Sequence, residues 1–314
     1  MSEAAQTIHQ TVPHRRFDRA RGALLGLAVG DAIGTTVEFK PRGSFAPLTD
    51  MVGGGPFGLL PGQWTDDTSM ALCLAASLLE SGFDLHDQMQ RYVRWHDEGY
   101  MSSNGRCFDI GMATSSALER FRRTGNPVAG SRKPDSAGNG SIMRLAPVPI
   151  HYLDTPERAI AMSAAQSTTT HQAPECMGAC RLLAEVLVRA LQSNSKDEVL
   201  APSKQTSPMS SALQSVAQGH YKAKAENQIK GSGYVVQSLE AALWCFWQTD
   251  SFESCVLLAA NLGDDADTTA AVAGQLAGAF YGESGIPAPW LRKLAMAGDI
   301  GQWAEQLVLQ KPKG

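Results

Sequence analysis

The spacing of apolar residues constrains the fold more than any other feature of this sequence. Apolar residues recur every three or four positions in six segments, at 70–79, 89–95, 110–121, 176–191, 235–247 and 294–307, which is the period of an α-helix. The alternation that indicates β-strands is almost absent. Small residues are frequent in the pattern, as at 270–279, and they allow helices to pack closely. We therefore predict an all-α fold with a compact core.

The domain organisation follows from where this helical pattern is interrupted. The chain has 314 residues, and no internal repeat or clear linker divides it, so we predict a single domain over residues 17–314. Residues 1–16 are polar and are predicted to form a flexible N-terminal tail. Residues 193–230 are rich in Ser, Lys and Gln and contain Pro202 and Pro208. That composition predicts an exposed polar excursion that contributes little to the core.

Composition excludes several classes of protein. Lys and Arg number 27 against 31 Asp and Glu, a net charge of −4, so we expect no nucleic-acid partner, because phosphate contacts require a basic surface. No apolar run approaches the roughly 18 residues of a membrane span, and the first residues lack the apolar core of a signal peptide. We therefore expect a cytoplasmic protein without membrane association. The six scattered cysteines form no CxxC pair and are interpreted as reduced core residues.

Two short acidic segments carry the clearest functional signal. Residues 64–68 read Trp-Thr-Asp-Asp-Thr, residues 263–269 read Gly-Asp-Asp-Ala-Asp-Thr-Thr, and each segment opens a helix. Such side chains often cap helix N-termini. However, the six acidic residues between Arg42 and Arg91 and the seven between Lys230 and Arg292 have no Lys or Arg among them. If both helix starts face one cleft, bound cations would keep the carboxylates ionised. Oxygen ligands without His or thiolate favour Mg²⁺ or Mn²⁺.

A third acidic stretch, at residues 30–38, precedes these segments. Asp31 is expected to be a helix cap. Glu38 follows an apolar stretch, and the residues alone do not decide whether it faces the same cleft.

Six short motifs follow one another between residues 17 and 285. They are Arg21-Gly22-Ala23-Leu24-Leu25-Gly26 with Gly30-Asp31 and Glu38, then Trp64-Thr65-Asp66-Asp67-Thr68, Gly138-Asn139-Gly140-Ser141-Ile142-Met143-Arg144, Thr170-His171, Gly233-Tyr234-Val235 and Gly263-Asp264-Asp265-Ala266-Asp267-Thr268. In this order they resemble the ADP-ribosylglycohydrolase family, which includes dinitrogenase-reductase-activating glycohydrolase and the ADP-ribosylarginine and ADP-ribosylserine hydrolases. Each motif alone is weak, whereas six in order are specific.

The resemblance implies an orthogonal all-α fold with two Mg²⁺ or Mn²⁺ ions in a loop-lined acidic cleft. The implied metal ligands are Thr65, Asp66, Asp67, Asp265, Asp267 and Thr268, with Glu38 beside the metals. Asp264 stands where the family commonly has a second Gly. The sequence therefore leaves open which of Asp264 and Asp265 binds metal.

The resemblance also implies contacts with ADP-ribose. The loop of Asn139, Gly140 and Ser141 would offer backbone N–H groups to the diphosphate, His171 would lie near the phosphates, and Tyr234 would stack on the adenine. A plain turn, a helix cap and a core tyrosine are the respective structural alternatives. The stretch from Phe108 to Gly111 resembles the bacterial enzymes that act on ADP-ribosylarginine, which implies that Gly111 contacts substrate. It also implies that Asp109 lies beside the scissile ribose, with an N-cap of the next helix as the alternative.

Together these features predict a metal-dependent hydrolase that removes ADP-ribose from modified arginine side chains of a protein. The predicted catalytic residues are Glu38, Asp109, Asp66 and Asp267, and the sequence does not assign acid and base between the first two. The expected partners are an ADP-ribosylated protein as substrate, ADP-ribose as product and a cognate ADP-ribosyltransferase. We expect a monomer.

Four alternatives remain open at this stage. The acceptor could be serine or the substrate O-acetyl-ADP-ribose, or the chain could bind ADP-ribose without activity. A helical metal phosphohydrolase would use the pairs His86-Asp87 and His96-Asp97, but their polar surroundings favour a solvated helix face.

Overall fold

The structure, a computed structural model, describes residues 3–312, with side chains from residue 14 onward. Its α-helices are α1 (Glu3–Gly34), α2 (Asp66–Glu80), α3 (Leu85–Glu98), α4 (Met112–Thr124), α5 (Pro147–His151), α6 (Pro156–Ser167), α7 (Pro174–Gln192), α8 (Lys196–Val199), α9 (Ser211–Ala217), α10 (Val235–Gln248), α11 (Phe252–Ala260), α12 (Ala266–Tyr281), α13 (Ala288–Lys293) and α14 (Ala297–Leu309). Isolated β-bridges occur, but no β-sheet forms within the described residues. The all-α prediction is confirmed, and each of the six periodic segments lies in or overlaps a helix.

Helices α1 and α12 pack with their backbones in direct contact. Glycines recur every four residues on α1, and each faces a small residue of α12; the facing pairs are Gly22 with Gly278, Gly26 with Gly274, Gly30 with Ala270, and Gly34 with Ala266. A Cβ atom on Gly26 would lie 2.3 Å from the carbonyl oxygen of Gly274, so only glycine permits this approach. The antiparallel pair brings the C-terminal end of α1 against the N-terminal end of α12.

The predicted tail is helical instead. Helix α1 begins at Glu3 and runs without interruption into the core, and Arg16 forms a paired ion bridge with Asp154 at 2.8 and 2.7 Å. The polar composition of residues 1–16 did not mark a break, because residues such as Gln and Arg have high helix propensity. Met1 and Ser2 lie outside the described residues.

The segment 193–230 contributes to the core, contrary to the expectation from its composition. It contains α8, α9 and two 3₁₀ turns. Its buried side chains are Val199, Leu200, Leu213, Val216, Ala217, Tyr221 and Ile229. These apolar residues are too widely spaced to produce a helical period, and the polar residues between them dominate the composition. Burial nevertheless anchors the segment against the domain.

A second, smaller apolar cluster joins α2, α3 and α4. It includes Met70, Cys73, Met89, Tyr92, Trp95 and Leu118, and it fixes the loop that precedes α4 next to the start of α2. All six cysteines are free, and five are buried, as predicted. No helix in the described residues is long and apolar enough to cross a membrane.

Candidate functional site

A cavity of about 1110 Å³ opens where the N-terminal ends of α2, α4 and α12 converge. Its acidic lining includes Glu38, Asp66, Asp109, Asp265 and Asp267. Three loop segments border the rest of it and are tied together by backbone hydrogen bonds, from Gln172 to Ser131 and from Asn139 to Gly233.

Asp31, expected to be a helix cap, caps α2 from a position on α1. Its fully buried carboxylate accepts hydrogen bonds from the backbone N–H and the hydroxyl of Thr65, both at 2.9 Å. It also accepts from the N–H and hydroxyl of Thr68, at 3.0 and 2.6 Å. Because a carboxylate from another helix satisfies these donors, the side chains at the start of α2 make no capping bond. The capping interpretation of Asp66 and Asp67 is therefore wrong.

Glu38, Asp109 and Asp267 each place one carboxylate oxygen within 4.8 Å of the others, an arrangement that can hold a metal ion. Glu38 and Asp267 are buried. Asp109 adopts a left-handed backbone conformation with φ of 62°, which Asp tolerates better than most residues. The N-cap of α4 is Gly111 rather than Asp109, so the capping alternative for Asp109 is wrong. We call Glu38, Asp66, Asp67, Asp109 and Asp267 the carboxylate cluster.

Burial and mutual repulsion disfavour ionisation throughout the carboxylate cluster. Burial, together with the charge of Asp109, raises the pKa of Glu38 to about 9. Burial, with the charge of Asp31, raises the pKa of Asp109 to about 7. The pKa values of Asp66, Asp67 and Asp267 lie well above their usual range, first from burial and then from neighbouring carboxylates. No Lys or Arg in the described residues pairs with the cluster.

The donor set fits a hard divalent cation. The Oε2 atom of Glu38 and the Oδ1 atom of Asp67 are buried without a hydrogen-bond partner, and a buried unpaired carboxylate oxygen is costly. Threonine hydroxyls complete the set, because Thr65 Oγ1 lies 3.3 Å from Asp267 Oδ2 and Thr268 Oγ1 lies 3.4 Å from Asp67 Oδ2. Carboxylate and hydroxyl oxygens are the ligands of Mg²⁺ and Mn²⁺.

The two adjacent aspartates before α12 have different environments. Asp265 lines the cavity, and its carboxylate accepts a hydrogen bond from Asn139 Nδ2 at 2.9 Å. Asp264 is exposed, and its backbone pairs with Phe39 and Lys40. Geometry therefore favours Asp265 over Asp264 as a ligand. All six predicted metal residues lie on the two facing helix starts.

Most of the predicted substrate residues border the cavity. Gly111, Asn139, Gly140, His171 and Tyr234 line it. Tyr234 is half-buried, and its hydroxyl donates to Glu175 at 2.7 Å, which leaves its ring at the cavity wall.

Ser141 is the exception. Its side chain is fully buried, and its hydroxyl accepts hydrogen bonds from Ser167 and Cys180, so only its backbone remains for a ligand. The Asn139 N–H already donates to Gly233. The N–H groups of Gly140 and Ser141 have no acceptor within the described part of the chain.

The paired histidines of α3 form no site. His96 and Asp97 contact each other and Arg122 at the surface, and His86 packs edge-on against Phe121. Two features of the cavity had no local signal in the sequence. Nothing around Asp31 indicated that it caps a distant helix. The resemblance implied that Asp109 lies beside the substrate, but no local signal indicated that its carboxylate lies within 4.8 Å of those of Glu38 and Asp267.

Comparison with known proteins identifies the class to which this fold and site belong. The family model for ADP-ribosylglycohydrolase matches residues 12–313, so the chain belongs to this family, as its motifs predicted. A solved structure titled "ADP-ribosylglycohydrolase-related protein complex" superposes with a TM-score of 0.84 at 44% identity, covering 94% of this chain and 99% of that chain.

Individual relatives are similar over most of their length. ADP-ribosylarginine hydrolase Tri1 of Serratia proteamaculans is 48% identical over 95% of this chain and 81% of the relative. The protein of the same name from Pseudomonas putida is 49% identical, covering 96% and 81%. ADP-ribosyl-[dinitrogen reductase] glycohydrolase of Rhodospirillum rubrum is 35% identical, covering 89% and 91%.

Proposed function

We propose that this chain hydrolyses the N-glycosidic bond between ADP-ribose and a modified arginine side chain of a protein. The observation that carries the proposal is the group of Glu38, Asp109 and Asp267 at the cavity. Sequence similarity supports this interpretation of the group, since the chain is 48% identical to a protein named ADP-ribosylarginine hydrolase. The substrate is an ADP-ribosylated protein, and ADP-ribose is released.

Two Mg²⁺ or Mn²⁺ ions would be held by the predicted ligands Thr65, Asp66, Asp67, Asp265, Asp267 and Thr268, together with Glu38. The uncompensated carboxylates and the unpartnered Glu38 and Asp67 oxygens support this assignment. Such ions, when bound, act as Lewis acids toward substrate oxygen atoms and orient them.

We place Asp109 and Glu38 beside the scissile N-glycosidic bond. A carboxylate accepts paired, charge-assisted hydrogen bonds from a guanidinium, so Asp109 can hold the leaving arginine in its protonated form. Glu38 is buried, and one of its carboxylate oxygens lies within 4.8 Å of carboxylate oxygens of Asp109 and Asp267. It can therefore hold or move the proton of the attacking water. The roles of acid and base stay open between them.

The remaining cavity residues would orient ADP-ribose. The free N–H groups of Gly140 and Ser141 suit the diphosphate, because consecutive backbone N–H groups form anion-binding concavities. His171 borders the same loop, and the half-buried Tyr234 ring offers a face on which adenine can stack.

The decisive experiment is incubation of ADP-ribosylarginine and ADP-ribosylserine peptides with the protein, first with Mg²⁺ or Mn²⁺ and then with EDTA. We expect release of ADP-ribose from the arginine peptide in the presence of metal only. Preference for the serine peptide would reassign the acceptor. Binding of ADP-ribose without turnover of either peptide would identify a catalytically silent relative, and full activity after exhaustive EDTA dialysis would contradict the role of the metal.

A further inference from the structure

We propose that Arg144 is a positioning residue that fixes two hydrogen-bond donors toward an anionic part of the substrate: His171 Nε2 at the cavity wall, and the backbone N–H of Ser141 in the loop beside it. The identity of that anion as the diphosphate of ADP-ribose rests on the proposed function. The donor arrangement itself is a property of the free protein.

Arg144 is fully buried, and its guanidinium donates to neutral oxygen atoms. Nη1 donates to Gly140 O at 3.0 Å, and Nη2 donates to the hydroxyls of Thr169 and Thr170 at 3.0 and 2.8 Å. Nε donates to Gln166 Oε1 at 3.0 Å. No carboxylate in the described residues forms a salt bridge with it. An uncompensated positive charge therefore lies directly beneath the Gly140 loop. We call Arg144, Gln166, Thr169, Thr170 and His171 the Arg144 network.

The hydroxyl of Thr170 selects the tautomer of His171. It has two partners in the described residues, Arg144 Nη2 and His171 Nδ1, the latter at 2.9 Å. Arginine only donates, so among the described residues His171 Nδ1 is the acceptor available to the Thr170 hydroxyl proton, and an unpaired buried proton would be costly. A neutral imidazole whose Nδ1 accepts carries its proton on Nε2. Burial and the charge of Arg144 lower the pKa of His171 to about 3, which keeps the ring neutral.

The Nε2 atom of His171 lies beside two glycines that line the cavity. A Cβ atom on Gly138 would lie 3.2 Å from Nε2, and one on Gly140 would lie 2.6 Å from the ring Cε1. No protein acceptor for Nε2 is found in the part of the chain that the structure describes. The glycines thus allow the ring to reach the cavity wall with its N–H unpaired.

The backbone N–H of Ser141 is oriented by the same arginine. Arg144 holds the carbonyl of Gly140 on the core side of the loop. In a trans peptide the following N–H points opposite to the carbonyl, so the Ser141 N–H points away from Arg144. Two unpaired donors and a buried cation behind them suit a diphosphate.

Thr169 provides a matched control for Thr170. Both residues are fully buried, and both accept a hydrogen bond from Arg144 Nη2. The hydroxyl of Thr169, however, donates to Gln166 O at 2.7 Å and does not contact His171. Thr169→Val and Thr170→Val therefore each remove one acceptor of Arg144, but only the second frees the tautomer of His171.

The test combines two measurements on the full chain. NMR of the protein with ¹⁵N-labelled histidine, without ligand and near neutral pH, should show the proton of His171 on Nε2. Calorimetric titration with free ADP-ribose should give a dissociation constant about tenfold larger for Thr170→Val, the equivalent of one lost hydrogen bond. Thr169→Val should stay within about twofold of wild type, and Thr170→Ser should restore binding.

A proton on Nδ1 in the wild-type protein would overturn the proposal, as would equal weakening of ADP-ribose binding by Thr169→Val and Thr170→Val. If Thr170→Val does not fold, the affinities of His171→Gln and His171→Asn for ADP-ribose test the proposal instead. The Gln amide nitrogen replaces Nε2, and the Asn amide nitrogen replaces Nδ1. Gln should retain more affinity than Asn, and the reverse order would contradict the inference. Failure of wild type to bind ADP-ribose or cleave either peptide would instead count against the proposed function, since the tautomer is read without ligand.

Discussion

The carboxylate cluster and the Arg144 network border the same cavity, and each buries charge without an opposite partner. They differ in how that charge is satisfied. The donors of Arg144 reach neutral oxygens of side chains and backbone, whereas the cluster leaves Glu38 Oε2 and Asp67 Oδ1 without partners.

This difference separates a preformed region from one that is completed by its ligand. A buried polar group costs little once it is hydrogen-bonded and much when it is not. The Arg144 network is therefore expected to keep its geometry in the free protein. The carboxylate cluster is expected to depend on a bound cation for both its ionisation and its order.

The largest expected effect is on activity at the carboxylate cluster. Asp267→Asn should lower the rate of ADP-ribosylarginine hydrolysis by about a thousandfold, because it removes a charge from the metal-capable group while preserving its shape. Far-ultraviolet circular dichroism should stay unchanged, since the substitution relieves repulsion among the carboxylates.

Asp264→Asn is the matched control for that substitution. Asp264 is exposed with φ of 58°, and Asn tolerates this conformation, so activity should change little. Equal loss of activity in the two variants would show that net charge, rather than the cluster, controls the reaction.

A large effect on stability is expected in the Arg144 network. Arg144→Met keeps much of the volume but leaves the buried oxygens of Gly140, Gln166 and Thr170 without their donor, so unfolding free energy should fall by roughly 3 kcal/mol or more. The Arg144 guanidinium lies over the ring of Tyr92 at 4.9 Å. Arg94→Met is the control, because Arg94 lies in the same way over the ring of Tyr100 at 4.0 Å but is exposed. Chemical denaturation compares the two, and equal losses would mean that the network contributes no more than surface stacking.

The sequence predicted the two regions to different extents. The helical period predicted the all-α fold, and the acidic motifs pointed to Asp66, Asp67 and Asp267, which lie in the carboxylate cluster, because these signals are local. Arg144 was part of a recognised motif, yet its role depends on Thr169 and Thr170, which lie 25 and 26 residues away along the chain. The close approach of α1 and α12 was likewise indicated in the sequence only by frequent small residues. Glycines spaced four residues apart predict such packing only when the residues of the facing helix are known.

A smaller effect is expected when a cation binds the carboxylate cluster. Mg²⁺ or Mn²⁺ at about a hundred times its dissociation constant should stabilise the folded protein by about 2.7 kcal/mol, seen as a rise in melting temperature that EDTA reverses. Asp67→Asn should reduce the rise, because it replaces the buried carboxylate whose Oδ1 lacks a partner. EDTA-treated and Mg²⁺-saturated samples with identical melting temperatures would show that the cluster is completed without metal.

The smallest expected effect concerns pH and arises in the Arg144 network. The pKa of His171 is about 3 in the folded protein, from burial and the charge of Arg144, against an ordinary value of 6.5. The unfolded chain therefore takes up a proton as the pH falls through 6.5, and the folded protein does not do so until about pH 3. Folded stability is thus complete above pH 6.5 and declines below it, by about 1 kcal/mol at pH 5.5 for this one group.

The variant His171→Gln tests this pH dependence, because it has no titrating ring. The difference in unfolding free energy between variant and wild type should shift by that amount between pH 7.5 and 5.5. The contributions of the carboxylates cancel in the comparison. A difference that stays constant over this range would mean that His171 titrates alike in both states and that Arg144 does not hold it neutral.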